Sequence, residues 1–290
     1  MANDQTPNAP EGAVSPPDSA SQFGAQQQRA AVAAQLPNNT VQVDPGGATF
    51  PTITEALNSI NDAGPEKQYL VTAGPGFYDE QVVLKPYVTL QGAGAALTSV
   101  NYPPQGGNNV FSRGTIVAAS NSGIYDLTAT CYGGTWGDYS TALRVGGCSP
   151  FSCTSVALVC DDQGNAGINI ETVAVNWNTG ASGPAELYFY YSTARALANS
   201  GESVAVCMIA NGPATVIAME SKFSGYGGEQ SFGVQSNGGA NVTLDECYAQ
   251  GATFALSIPD NSSTLVANAC TIDGPVGSGV KVNNYTPPSE

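Results

Sequence analysis

The chain has 290 residues, with 23 Asp and Glu, only eight Lys and Arg, and no histidine. A net charge of −15 excludes binding to nucleic-acid phosphates and to anionic membranes, and it disfavours an anionic polysaccharide unless a local patch overrides the global field. The missing histidines remove every His triad, His general base and His metal site, and neither metal nor cofactor is expected.

Residues 1–39 read as an extended Pro/Gln/Ala-rich arm, with five prolines, the run Gln26-Gln27-Gln28 and one aromatic, Phe23. The arm's start has no basic region followed by an apolar one, so no signal peptide is expected and synthesis in the cytoplasm is. Nor is there an apolar run long enough to cross a membrane. Such a composition cannot build a core alone. Phe23 and the Ala30, Val32 and Leu36 face offer a small apolar anchor, which makes the arm a candidate for binding other protein subunits.

The body, 40–290, opens on the alternating strand Thr40-Val41-Gln42-Val43. Thr52 and Glu55 then have the spacing of a capping box, and Ile53, Ala56, Leu57 and Ile60 fall on one helical face, with Gly64-Pro65 as the stop. Beyond it the pattern becomes short β-rich runs separated by Gly, Asn, Ser and Asp, and these runs repeat. Val216, Val242 and Leu265 align, as do Ala218, Leu244 and Ala267, and Gly225, Gly251 and Gly274. The offsets are 26 and 23 residues, and an earlier copy runs from Ser122 to Cys131. A period of this size predicts an all-β fold, a single-stranded right-handed parallel β-helix of roughly ten coils with a short N-terminal capping helix. Val242, Leu244, Leu265 and Ala267 should point inward, and Asn241, Thr243, Thr264 and Val266 outward. The seven cysteines contain no CxxC pair and read as buried apolar thiols. Cys247 and Cys270 share one repeat position, as a thiol ladder or, alternatively, a disulfide.

Three segments carry a resemblance. Thr52-Ile53-Thr54-Glu55-Ala56-Leu57, then Gly74-Pro75-Gly76-Phe77-Tyr78-Asp79-Glu80-Gln81-Val82-Val83-Leu84, then Lys85-Pro86-Tyr87-Val88-Thr89-Leu90-Gln91-Gly92-Ala93-Gly94 resemble the opening of pectinesterases. Thr141-Ala142-Leu143-Arg144-Val145 is similar to that family's "AvALRv" strand. The resemblance implies the pectin-lyase-like β-helix. It also implies two catalytic Asp residues, in "QDTL" and "DFIFG" settings, and an Arg in "GRPW". Here those settings are missing. The first Asp falls near Asp161-Asp162-Gln163 and the second near Glu186, with Glu in place of Asp. If the protein is an enzyme, Asp161, Asp162 and Glu186 are the candidate catalytic residues of a carbohydrate esterase-like hydrolase.

Glu186-Leu187-Tyr188-Phe189-Tyr190-Tyr191 concentrates aromatics. With Trp136, Tyr139 and Trp177 on neighbouring coils, Tyr188 and Tyr190 are candidates for a platform on which the rings of a neutral polysaccharide stack; strand alternation sends about half of such residues inward. Two function classes remain. The preferred one is a non-catalytic structural or attachment protein of a larger assembly, a bacteriophage virion component such as a capsid decoration or tail appendage, at the surface of the particle and anchored by the arm. The alternative is a pectinesterase-like carbohydrate-active enzyme or sugar-binding β-helix with an altered site.

Overall fold

The computed structural model describes residues 39–46, 50–102, 114–132, 139–161, 171–178, 185–199 and 204–286. The arm residues Phe23, Val32 and Leu36 lie outside the described residues, as do Asp162 and Trp136.

The body is a parallel β-helix. Among the described residues the named strands pair only in parallel, and they sort into three sheets of ten, eight and seven. In the ten-stranded sheet the spatial order is the chain order, from Asn39–Val43 through Val88–Gly92, Phe151–Thr154 and Ala214–Met219 to Lys281–Asn283. Successive inner coils contribute one strand to each sheet in turn, as in Ala214–Met219, Lys222–Gly227 and Gln230–Asn237. The ten strands match the ten coils expected from the repeat length.

The register is the predicted one. Val216 pairs with Val242 and Val242 with Leu265, while Ala218 pairs with Leu244 and Leu244 with Ala267. All six are buried, whereas Asn241 and Thr264 are exposed and Thr243 and Val266 half-buried. One inward column runs Val41, Val71, Leu90, Ile124, Cys153, Phe189, Ala218, Leu244, Ala267 and Val282. Small residues flank the largest member. Phe189 stacks between Cys153 and Ala218 and meets Phe223 edge-on at 5.8 Å, so the volume of a Phe fits one rung without opening a void.

The corner between the ten- and eight-stranded sheets is built from a left-handed residue in successive coils. Asp126, Ser155, Tyr191, Glu220, Glu246 and Ala269 have φ between 45° and 55°. A left-handed conformation costs a residue with a side chain about 1 kcal/mol or more. Here it is offset because each amide still bonds to the next coil: Tyr191 N–H to the Met219 carbonyl (3.2 Å), Glu220 N–H to Asp245 (3.0 Å) and Glu246 N–H to Asn268 (2.9 Å). The inter-coil ladder therefore passes through the turn. Glycine is required at another corner, where a Cβ on Gly274 would lie 2.1 Å from the Gly251 carbonyl oxygen and one on Gly225 would lie 2.3 Å from that of Phe232.

The capping helix is shorter than expected. It spans Ile53–Ser59, and Ile60 takes an extended conformation (φ −88°, ψ 112°) while its side chain stays buried. Thr52 caps it, accepting from the Glu55 amide at 3.1 Å. A carboxylate from the next motif joins in, since Glu80 accepts from the amides of Ile53 and Thr54, both at 2.8 Å. These two amides are among those left unpaired by the helix, so the helix motif and the Gly76-to-Val82 motif are one structural unit. Ile53, Ala56 and Leu57 are buried in the core. At the other end the last strand, Lys281–Asn283, is three residues long, with Lys281 and Asn283 exposed, which blunts an edge that would otherwise invite pairing. All seven cysteines are buried, and Cys247 and Cys270 are thiols rather than a disulfide.

Candidate functional site

The strand Ala185–Tyr190 alternates cleanly. Leu187 and Phe189 are fully buried, Glu186 is exposed, and Tyr188 and Tyr190 are half-buried on the outer face of the ten-stranded sheet. The two tyrosine rings are 6.2 Å apart and 15° from parallel, the spacing expected two residues along a strand. The Tyr188 hydroxyl donates to the Glu186 carboxylate at 3.1 Å.

Two coils away in the same outward row stands Tyr125, a residue that the sequence reading missed: Tyr190 pairs with Thr154 and Thr154 with Tyr125. The Tyr125 hydroxyl is 2.8 Å from that of Ser152, which itself pairs with Tyr188. Tyr125 belongs to the Ser122-to-Cys131 repeat copy, and its outward phase was readable from that repeat. Desolvation raises the pKa of all three phenols. The Glu186 carboxylate adds to the rise at Tyr188, Tyr188 and Tyr125 add to it at Tyr190, and the Ser152 hydrogen bond opposes it at Tyr125. The phenols are therefore neutral donors at physiological pH. The surface formed is three aromatic faces with hydroxyl and carboxylate groups at their edges, suited to the C–H faces and hydroxyls of a saccharide.

Of the other predicted platform residues, Tyr139 and Trp177 belong to strands Tyr139–Val145 and Glu171–Asn178 of the seven-stranded sheet. The four described members of the predicted platform thus divide between sheets, because strand ranges inferred from a constant period misplace residues once coil length varies. From Phe151 to its partner Leu187 is 36 residues, against 26 from Val216 to Val242.

The candidate carboxylates also separate. Asp161 ends the strand Ala157–Asp161 in the eight-stranded sheet, where it accepts from the Asn199 amide at 2.6 Å. Glu186 stands in the ten-stranded sheet, one coil on, with a strand of the seven-stranded sheet between them in the chain. Arg144, in the strand that resembles the pectinesterase "AvALRv", is buried, and desolvation lowers its pKa. It pairs with Val117 and Asn176 in the seven-stranded sheet, which holds neither Asp161 nor Glu186. Among the described residues no group of three His, Cys, Asp or Glu side chains is placed to hold a metal ion.

The sequence missed a second outward face. On the eight-stranded sheet the Arg195 guanidinium lies 5.2 Å from the centre of the Tyr226 ring, and the Lys222 ammonium lies 4.6 Å from that of Tyr248. Tyr248 donates to Asp273 at 2.9 Å, and its phenol is pushed up to about 12 by desolvation and by that carboxylate.

No protein-family model matches the chain, and no curated protein matches it in sequence. Solved structures match it in fold. The pectin methylesterase from carrot is similar with a TM-score of 0.64 at 14% identity, over 87% of this chain and 83% of that one. The pectin methylesterase from Aspergillus niger gives 0.52 at 12% identity, over 87% of each chain. ORF18 of Geobacillus virus E2 also matches, over 92% of this chain and 63% of that one at 13% identity, but its TM-score of 0.37 is too low to carry an argument. At these identities the likeness is one of fold: the chain is a parallel β-helix of pectin-methylesterase-like architecture.

Proposed function

We propose that this β-helix is a non-catalytic attachment or structural protein of a larger assembly, a bacteriophage virion component held in place by its arm, residues 1–39. The observation that carries the reading is the placement of Asp161 and Glu186 in different sheets. Ester hydrolysis by two carboxylates needs both within reach of one scissile bond, and misplacement of about 1 Å already costs on the order of 100-fold. A pectin-methylesterase-like scaffold that separates these groups retains the stiff stack of coils and gives up the reaction. The arm supplies the anchor, with Phe23, Val32 and Leu36 as its apolar contacts to neighbouring protein subunits.

The test is removal of residues 1–36 from the protein produced in cells that make the particle. The truncated protein should keep its unfolding midpoint and fail to co-purify with particles. Loss of folding, or unchanged incorporation, overturns the reading. A second reading, sugar binding, is favoured by the parallel Tyr188 and Tyr190 rings with Tyr125 in the same row. It predicts retention of the protein on a neutral polysaccharide column and loss of retention in Tyr188→Ala and Tyr190→Ala.

A further inference from the structure

We propose that the outer face of the eight-stranded sheet binds an acidic saccharide, whose carboxylate pairs with Arg195 and Lys222. The two cations sit on neighbouring strands. Thr193 pairs with Lys222 and Lys222 with Tyr248, while Arg195 lies two residues along from Thr193. Diagonal neighbours on a sheet face are about 7–8 Å apart, close enough for one carboxylate-bearing sugar to meet both.

Each cation is held over a tyrosine ring of the following coil. A guanidinium held over a ring by its charge still presents N–H donors in the fork geometry that suits a carboxylate. The ring contact also reduces the side-chain freedom that binding would otherwise remove. Three of the other described cations are engaged or buried: Lys67 pairs with Asp62, Lys85 donates to the Ile60 carbonyl at 2.7 Å, and Arg144 is buried, while Lys281 lies exposed in the ten-stranded sheet. Arg195 and Lys222 are both exposed.

The surrounding acids fix where an anion can lie. Asp273 holds the Tyr248 hydroxyl and Asp161 the Asn199 amide, while Glu220 and Glu246 stand at the left-handed corner next to Lys222 and Tyr248. Arg195 is two residues further from that corner, with Asp161 as its diagonal neighbour on the preceding coil, so the anion is centred between Arg195 and Lys222. The net charge of −15 repels an acidic ligand at long range, but charges beyond about 8 Å are largely screened at physiological salt. This is the local patch that could reverse the sign of the global field.

A saccharide fits better than an acidic peptide. Extended peptides bind sheets by adding to a free edge, and the strands carrying Arg195 and Lys222 are paired on both sides. On the same face a neighbouring outward row instead runs through Tyr226, Leu197 and Asp161 to the exposed ring of Tyr132, a surface for sugar rings. The inference is independent of whether the arm anchors a particle.

The experiment titrates the full chain, at physiological ionic strength, with a glucuronate-containing oligosaccharide, the matching neutral glucose oligosaccharide and a hexaglutamate peptide. Saturable binding of the acidic sugar is expected, with the neutral sugar and the peptide at least about tenfold weaker. Hydrogen bonds to charged groups are worth enough that Arg195→Gln should weaken acidic-sugar binding by about tenfold or more. Arg195→Lys should retain part of the affinity, and Lys222→Gln should also weaken it. Unfolding midpoints near the wild-type value establish that the variants are folded. Three results would overturn the proposal: no saturable binding of the acidic sugar, equal binding of the neutral sugar or the peptide, or folded Gln variants that bind as the wild type does.

Discussion

Cys247 and Cys270 stand at the same corner of successive coils, and each thiol donates to the carbonyl two residues behind it at 3.3 Å. Ser221 and Ser192 make the same contact one and two coils earlier, at 2.9 and 2.8 Å. Thiol and hydroxyl are therefore interchangeable in this column. The neighbouring Cys270 side chain, together with burial, raises the Cys247 pKa and keeps the thiol protonated. Cys247→Ser should change unfolding free energy by no more than about 1 kcal/mol, the net worth of one hydrogen bond. Cys247→Leu should cost about 1–3 kcal/mol through overpacking. Denaturant unfolding separates the two, and a Ser variant as damaged as the Leu variant would remove the hydrogen-bonding account.

Glycines at positive φ separate strain from collision. Gly227 (φ +74°) would place a Cβ 2.1 Å from the Ala198 carbonyl oxygen, while Gly239 (φ +89°) has nothing within 4 Å. Gly239→Ala meets only the conformational cost, about 1–2 kcal/mol. Gly227→Ala must also displace the backbone of a neighbouring coil, so its midpoint should fall well below that of the Gly239 variant. Equal midpoints would mean that the backbones at this corner yield easily.

Core size complementarity gives a third test. Phe189 is fully buried against Phe223, and Tyr188 is half-buried on the other side of the same strand. Phe189→Ala should cost about 3–5 kcal/mol through lost burial and the cavity left behind. Tyr188→Ala should cost far less while reducing any retention on a neutral polysaccharide. A reversed order would place the wrong face of the strand inward.

The contrast between these neighbours shows what was legible in the sequence. The inward column was readable because Val216, Val242 and Leu265 recur at nearly constant spacing, and the structure pairs them as aligned. The capping helix was readable from Thr52 and its spacing to Glu55, but its end was not. Ile60 serves the core from an extended residue as well as from a helical one, so its burial gave no sign of where the helix stops. Sheet membership failed where coil length changes. Asp161 and Glu186 are 25 residues apart, about one coil by the C-terminal period, yet they occupy different sheets. The pairing of Arg195 with Tyr226 was invisible because it joins residues 31 apart through a coil of another length.

Asp260 makes one turn pH-sensitive. Desolvation pushes its carboxyl up, but hydrogen bonds from Ser263 and Ser262 and from the Gly238 and Ser263 amides prevail, bringing it down to about 2 from the ordinary 3.8. A carboxyl with a depressed folded pKa adds stability above its unfolded value and loses it as pH falls through the folded one. The difference in midpoint between wild type and Asp260→Ala should be constant above about pH 4 and shrink towards pH 2. A difference that does not change across that window would assign the Asp260 effect to packing.

The last prediction concerns the carboxylates. Pectin methylesterases share this fold with the chain, and fold alone does not fix chemistry. Asp161 faces out from the eight-stranded sheet against Asn199, and Glu186 from the ten-stranded sheet against Tyr188. Each has a local structural partner, and the two stand in different sheets. Purified protein assayed on methylated pectin with a proton-release readout should therefore show no turnover above a heat-denatured control. Asp161→Asn, Asp162→Asn and Glu186→Gln should leave that baseline unchanged, with Glu186→Gln altering only the environment of Tyr188. Turnover that one of these substitutions abolishes, in a variant that still unfolds at the wild-type temperature, would place the reaction at that residue and remove the case for a non-catalytic attachment protein.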